Sequence, residues 1–256
     1  MKATFLKYEK PLLCAMVQEE TPEDAIKKIQ DSLADGAEAL GIQLCKLHRE
    51  YRTKEILKEI FDACEGKPIY VTSYRHSASE GYTDEQCAEL LLLAVDAGAT
   101  LCDIIGDMFS RDTYYELTRN EEAIQKQKDL IDEIHRRGGE VLMSSHTMKN
   151  ISTGECEMIS KAHYERGADI SKIVNTAITK QEVPQYIAAI QNITTAYPDK
   201  KLLLLVSGEG QIIRYIGPNF GVCMYLCVAY HNKFDTVQQP VLKVLKQIRD
   251  NIRFDI

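Results

Sequence analysis

Apolar residues in this chain gather into short dense runs, and between the runs they recur every third or fourth position. The runs are Pro11–Val17 (PLLCAMV), Ala37–Leu44 (AEALGIQL), Lys67–Tyr74 (KPIYVTSY), Leu101–Ile105 (LCDII), a stretch from Gly138 to His146, another from Gly167 to Asn175, Leu202–Val206 (LLLLV) and Gly221–Ala229 (GVCMYLCVA). Continuous runs of this kind suit parallel strands buried on both faces, whereas strict alternation marks a half-exposed sheet. Gly221–Ala229 is also long enough for a helix. Thr21, Thr53 and Thr83 each stand before helical spacing. A threonine oxygen there accepts from the free N–H groups of the first turn, Pro22 suits the first helical position, and the acids that follow suit the positive helix end. Further helices are expected over Glu121–Arg137, from Thr153 to Arg166, from Thr179 or Lys180 through Ile190, and over Pro240–Arg249.

Strand-like runs alternating with amphipathic helices at intervals of roughly thirty residues predict an α/β fold. Their number, and a length of 256 residues, favour a single (β/α)8 TIM barrel over 1–256 rather than a doubly wound open sheet. No G-x-G-x-x-G follows the first run, which also argues against a dinucleotide-binding sheet, and no linker divides the chain.

Composition narrows the partners. Hydrophobic residues make up 45% and charged residues 27%, and the formal net charge is −7. No basic stripe stands out, so nucleic acid and anionic membrane surfaces are disfavoured, while a small anion held by one or two local arginines is not. No apolar run reaches the length of a membrane span. Met1–Lys10 lacks the apolar centre of a secretory signal, so a cytoplasmic protein is expected. The eight cysteines are scattered in apolar patterns without a C-x-x-C pair. They read as buried free thiols rather than a zinc site.

In a barrel the active site lies at the carboxyl ends of the strands. The polar residues there are Gln43, Arg75 with Glu80 in the loop beyond, Asp107, His146, Lys172 with Asn175, then Glu209 and Arg214, and finally Asp235, Thr236, Gln238 and Gln239. Lys172 sits in mid-strand, where its charge must be desolvated. Burial favours the neutral, nucleophilic amine, and a nearby histidine moves protons, so Lys172 with His146 suggests an imine-forming enzyme. A lysine snorkelling from a strand end and a histidine satisfied by its loop is the plain alternative. Ser207-Gly208-Glu209-Gly210 reads as a turn that offers backbone N–H groups to a ligand. His48, His76, His135, His163 and His231 read as loop or helix-surface residues. Lys27-Lys28 and Glu121-Glu122 read as solvated faces.

Four segments together resemble the type I 3-dehydroquinate dehydratases, a family of class I aldolase-like barrels. They are Val71-Thr72-Ser73-Tyr74-Arg75 with Ser79-Glu80-Gly81, Met143-Ser144-Ser145-His146, Gly167-Ala168-Asp169-Ile170-Ser171-Lys172-Ile173, and Ser207-Gly208-Glu209-Gly210-Gln211-Ile212-Ile213-Arg214. The resemblance covers nearly the whole chain. It implies dehydration of 3-dehydroquinate to 3-dehydroshikimate through a Schiff base, with no metal or organic cofactor. It makes Lys172 the imine former, His146 the proton carrier and Glu80 the acid that orients the histidine. Arg214 is then the partner of the substrate carboxylate, helped by Gln239, and Arg75 faces the hydroxyl-bearing side. Homodimer pairing through outer helices is an open expectation.

Two positions depart from the family. It carries a Glu-x-Arg pair at the end of strand two, and this chain has Gly41 and Gln43 there, so one charge of each sign is missing and Gly41 is expected to leave space. The acidic motif around Ile105-Gly106-Asp107 is also thinned. Two other readings therefore stay open: a Schiff-base lyase or aldolase for a different keto acid, and a silent barrel that binds a metabolite or a protein partner.

Overall fold

A computed structural model describes residues 3–75 and 81–252. Among them eight strands alternate with eight α-helices: β1 Leu12–Val17, α1 Pro22–Ala34, β2 Ala39–Gln43, α2 Lys54–Asp62, β3 Ile69–Thr72, α3 Asp84–Ala97, β4 Leu101–Ile105, α4 Glu121–Arg136, β5 Glu140–His146, α5 Thr153–Glu165, β6 Ile170–Ala177, α6 Val183–Ala196, β7 Lys201–Gly208, α7 Ile213–Ile216, β8 Met224–Cys227 and α8 Leu242–Asp250. The strands form one sheet in the order β7-β6-β5-β4-β3-β2-β1-β8. The residues leading into β8 bridge back to β7 through Leu202 and Val222. This is the (β/α)8 barrel expected from the alternation of runs and helices.

Local chemistry sets the element ends. Thr21, Thr53 and Thr83 each accept a backbone N–H from the first turn of their helices, and Thr83 forms a reciprocal capping box with Gln86. Ser152 caps α5 in the same way with Glu155, one residue before the expected opening. A 3-10 turn over Lys180–Glu182 leads into α6, where Pro184 lies in the first turn and no N–H is lost. The long run Gly221–Ala229 is a strand of four residues, because Gly221 takes φ +119° to end a 3-10 turn over Gly217–Phe220.

Contacts group the chain into two compact units. One holds the chain up to Asp103 with Glu133–Glu140 and everything from Leu226 on; the other holds Ile104–Asp132 and Val141–Tyr225. In the first, β1, β2 and β3 pair in parallel, with Met16 opposite Gly41 and Gly41 opposite Tyr70. In the second, β5, β6 and β7 pair in parallel, with Ser144 opposite Lys172 and Lys172 opposite Leu203. β1 and β7 are buried along nearly their whole length, as their unbroken apolar runs require.

Two surface assignments are corrected. Lys28 is not on a solvated face: it is 1% exposed, and its Nζ lies 3.0 Å from Glu19 and 2.6 Å from Asp235. Two carboxylates compensate the burial of one ammonium, and this keeps the charge inside. His163 is fully buried, not a surface residue. Its two ring nitrogens meet the hydroxyls of Ser145 and Ser171 at 3.1 and 2.9 Å, which satisfies the imidazole without water.

All eight cysteines are free and buried, as expected. Burial pushes the Cys64, Cys156 and Cys223 thiols up to about 12. Thiolate, the reactive form, is therefore scarce in the folded chain. Ellman's reagent near about pH 8 should label well under one thiol per native chain and all eight after denaturation; rapid native labelling would contradict this packing.

Candidate active site

Successive residues of a strand point to opposite faces. Ser145 and Ser171 meet His163, which comes from α5, so their side chains point to the helix side. Ser144, His146 and Lys172 therefore point to the other, inner face. Ser144 and Lys172 are register partners, and His146 lies two residues further along β5. Strands about 4.8 Å apart with a rise of about 3.3 Å per residue then set the Cα atoms of His146 and Lys172 about 8 Å apart on one face. That is within the joint reach of a lysine and an imidazole. Lys172 is 5% exposed and His146 is half-buried. Asn175, by contrast, points to the helix side, with Thr147 and Cys156 as partners.

His146 has a partner that the sequence did not suggest. Glu116 Oε2 accepts from the His146 backbone N–H and from Nδ1, both at 2.7 Å. Glu116 sits in the polar connection between β4 and α4, where no periodicity marks it, and the spacing of motifs carries no signal for it. Glu80, the acid expected at this histidine, and His76 lie outside the described residues. Asp107, in the same connection, accepts from the Asp112 N–H.

Arg214 is carried by α7 beside the end of β7 and is 5% exposed. Its Nε donates to the Val206 carbonyl at 3.0 Å and its Nη2 to the Ser207 hydroxyl at 3.2 Å. Desolvation pushes the guanidinium down to about 10. Among the described residues its hydrogen bonds go to these two oxygens and none to a carboxylate. A buried cation with spare donors and no counter-charge favours an incoming anion.

The Ser207–Gly210 turn is a correction. Its N–H groups are not offered to a ligand: Glu209 N–H goes to the Ala177 carbonyl, Gly210 to Ser207 and Gln211 to Gly208. Gly208 is required because it adopts φ +63° and a Cβ there would lie 2.4 Å from the Ala177 oxygen.

The remaining expected residues belong to the first unit. Arg75 forms a bidentate ion pair with Asp84 in the first turn of α3, Nη2 to Oδ2 at 2.9 Å. Gln43 is half-buried, with its amide 3.6 Å from the Cys45 sulfur. Gln239 is buried and Gln238 exposed. The Gln239 side-chain oxygen accepts from Gln18 at 2.9 Å, which orients the amide with its NH2 outward from that bond. Gln18 also donates to Asp235 at 3.4 Å, a carboxylate already tied to Lys28.

Gly41 leaves no space, which corrects the expectation. A Cβ on it would lie 2.2 Å from Met16 Sδ and 3.2 Å from a ring carbon of Tyr70. The neighbouring strands have filled the position. Tyr70, fully buried, donates its hydroxyl to Asp103, and Tyr74 donates to the same oxygen at 2.5 Å.

The fold and site define a class, parallel (β/α)8 barrels with a lysine and a histidine on one face of adjacent strands, an arrangement suited to imine chemistry. Comparison with known proteins gives the family. The sequence profile of the Type I 3-dehydroquinase family matches residues 13–253, and the chain belongs to that family. The fold agrees. Type I 3-dehydroquinate dehydratase from Clostridium difficile, solved with covalent modified comenic acid, superposes with a TM-score of 0.79 at 18% identity, covering 96% of this chain and 93% of that one. The enzymes from Geobacillus kaustophilus (0.79, 14% identity, 94% and 91% covered) and Enterococcus faecalis (0.78, 17%, 98% and 99%) are similar. A search of curated protein sequences finds no match. No helix among the described residues is long and apolar enough to cross a membrane.

The packing at Gly41 makes a direct prediction. Gly41→Glu overfills the site and should cost about 1–3 kcal/mol, read as a lower melting temperature, and Met16→Ala in the same chain should recover part of the loss. A Gly41→Glu protein as stable as the parent would show that Met16 does not occupy this position.

Proposed function

We propose that this chain dehydrates 3-dehydroquinate to 3-dehydroshikimate through an imine on Lys172. The observation that carries the reading is the register of β5 and β6, which turns Lys172 and His146 to one face in a chain of this family. The Lys172 amine attacks the ketone carbon, and water leaves as the iminium forms. The iminium draws electrons from the neighbouring carbon and acidifies its C–H. His146 takes that proton, and the electron pair moves toward nitrogen as an enamine. The enamine then expels the β-hydroxyl, which leaves as water with the proton His146 returns. A second water hydrolyses the imine and frees the product. One water is lost overall and no redox step is needed.

Arg214 supplies the carboxylate contact in this reading. Its fixed position on the Val206 carbonyl and the Ser207 hydroxyl leaves donors for a charge-assisted pair with a substrate carboxylate. For Gln43, Arg75 and Gln239 a substrate role rests on the family resemblance. A second reading, imine chemistry on a different keto acid, is favoured by one observation: Met16 and Tyr70 fill the place of an acid that the family uses to hold substrate hydroxyls.

Turnover of 3-dehydroquinate, followed by ultraviolet absorbance of the conjugated product, tests the main reading. Lys172→Ala should abolish it, and His146→Ala should lower kcat by about 10²–10⁴-fold. Borohydride with substrate present should add the reduced adduct mass to Lys172. Absence of turnover by the parent protein would overturn the dehydratase assignment, and an adduct formed only with other keto acids would establish the second reading.

Loss of the anion contact should act on binding. Arg214→Gln should raise KM by about 10–100-fold, the scale of a hydrogen bond to a charged group. An unchanged KM would remove Arg214 from the substrate site.

A further inference from the structure

We propose that Glu116, delivered by the connection between β4 and α4, is the positioning residue that fixes the tautomer and orientation of His146. The proposal rests on the reading of His146 as proton carrier. The family resemblance gives the orienting role to Glu80, but in this structure the Nδ1 side of the imidazole is taken by Glu116.

A carboxylate only accepts hydrogen bonds, so Nδ1 is the donor in this contact. The neutral ring must then carry its lone pair on Nε2, which makes that nitrogen the basic one. The same Glu116 oxygen also accepts from the His146 backbone N–H. Two bonds to one oxygen tie the ring to its own backbone and fix its plane. When Nε2 gains a proton, the adjacent carboxylate stabilises the imidazolium, the division of labour found in nucleophile–histidine–acid triads.

The connection is built to hold this residue in place. Glu116 adopts φ +51°, a left-handed conformation unfavourable for a side chain of its size, and such strain persists where surrounding contacts enforce it. Its carbonyl accepts from the Ser145 hydroxyl, which His163 holds from behind. A Cβ on Gly106 would come within 2.7 Å of that carbonyl, so the close approach needs glycine there. On one side of Glu116 the Tyr115 hydroxyl donates to Glu155 in α5 at 2.6 Å, a bond that pushes the phenol up to about 12. On the other side Arg166 donates to the Thr118 carbonyl at 2.6 Å and to the Gly106 carbonyl at 2.8 Å. Gln127, fully buried, donates to the Gly106 and Met108 carbonyls. Arg166 is 7% exposed, and burial pushes it down to about 10. Burying an arginine and a glutamine to clamp one loop is costly unless the position of that loop matters.

The competing role is structural, in which Glu116 serves merely to satisfy the His146 backbone N–H at the strand end. Nitrogen-15 imidazole spectra of the substrate-free enzyme separate the two, and they do not depend on which keto acid is the substrate. The parent protein should show His146 with the proton on Nδ1. Glu116→Ala, and Glu116→Gly, which suits the left-handed backbone, should lose that tautomer preference while keeping the fold by circular dichroism. Glu80→Gln should keep it. In turnover, Glu116→Gln should lower kcat by about 10²–10⁴-fold, the range for a misoriented or mis-tautomerised base, with KM within about threefold, because an interaction made in the transition state is lost rather than substrate binding. Borohydride should still trap the imine on Lys172. Retention of the Nδ1 proton and of parental kcat in Glu116→Ala would overturn the proposal. So would loss of the tautomer in Glu80→Gln alone. Failure of 3-dehydroquinate as substrate would leave the spectra to decide the role of Glu116.

Discussion

The period-two alternation of β5 and β6 is the constraint on which the candidate site depends. Once Ser144 pairs with Lys172, every other side chain on both strands has its face assigned. The outward serines are then claimed by His163, a buried imidazole that bonds one serine on each strand. A slip of β6 by one residue would turn Lys172 toward α5 and bring apolar Ile173 to the inner face, and His163 would lose the Ser171 hydroxyl. The helix-side hydrogen bonds and the inner-face chemistry thus enforce the same register from opposite sides of the sheet. This is how a lysine and a histidine twenty-six positions apart in the chain become neighbours on one surface.

Among the described residues, Lys28, Arg166 and Arg214 show two ways of holding a buried cation. Lys28 is surrounded by carboxylates and its charge is settled within the protein. Arg166 and Arg214 bind mainly carbonyl and hydroxyl oxygens, and desolvation lowers both. Neutral oxygens stabilise a guanidinium less than a carboxylate does. Arg166 uses donors on three loop and helix acceptors and serves as a clamp. Arg214 uses donors on two acceptors. The distinction follows from counting acceptors around each guanidinium.

Much of the fold was legible in the sequence, for physical reasons. Runs buried on both faces cannot alternate, so LLLLV in β7 and PLLCAMV around β1 announce interior parallel strands, and threonines before helical spacing announce α1, α2 and α3. Of the candidate site, Lys172 and His146 stood out because a charged or titratable residue inside or ending an apolar run is costly without a use, and Arg214 stood out through the family resemblance. Glu116 was not. An acid in a polar connection looks like every other solvated acid, and its importance comes from a loop conformation held by Gln127, Arg166 and Ser145, residues distant in the chain. His163 and Lys28 were misjudged for the same reason, since their partners Ser171 and Asp235 come from other elements.

The changed end of β2 is better understood as a repacked wall than as a missing one. Removing a glutamate alone would strand its arginine, a penalty larger than the loss of both charges together. Here the acid is a glycine and the base a neutral glutamine, so neither charge is left unpaired. The volume beside Gly41 is occupied by Met16, a flexible side chain suited to irregular gaps, and by Tyr70, whose hydroxyl is satisfied by Asp103. Each replacement depends on the others: a larger residue at Gly41 meets Met16, and removal of Asp103 leaves the Tyr70 hydroxyl without its acceptor. Such coupling means that a glutamate at Gly41 alone meets a filled position. The strands that carry His146 and Lys172 pair with one another, and β6 pairs with β7. The register that turns Lys172 and His146 to one face is therefore set without any of the residues packed around Gly41.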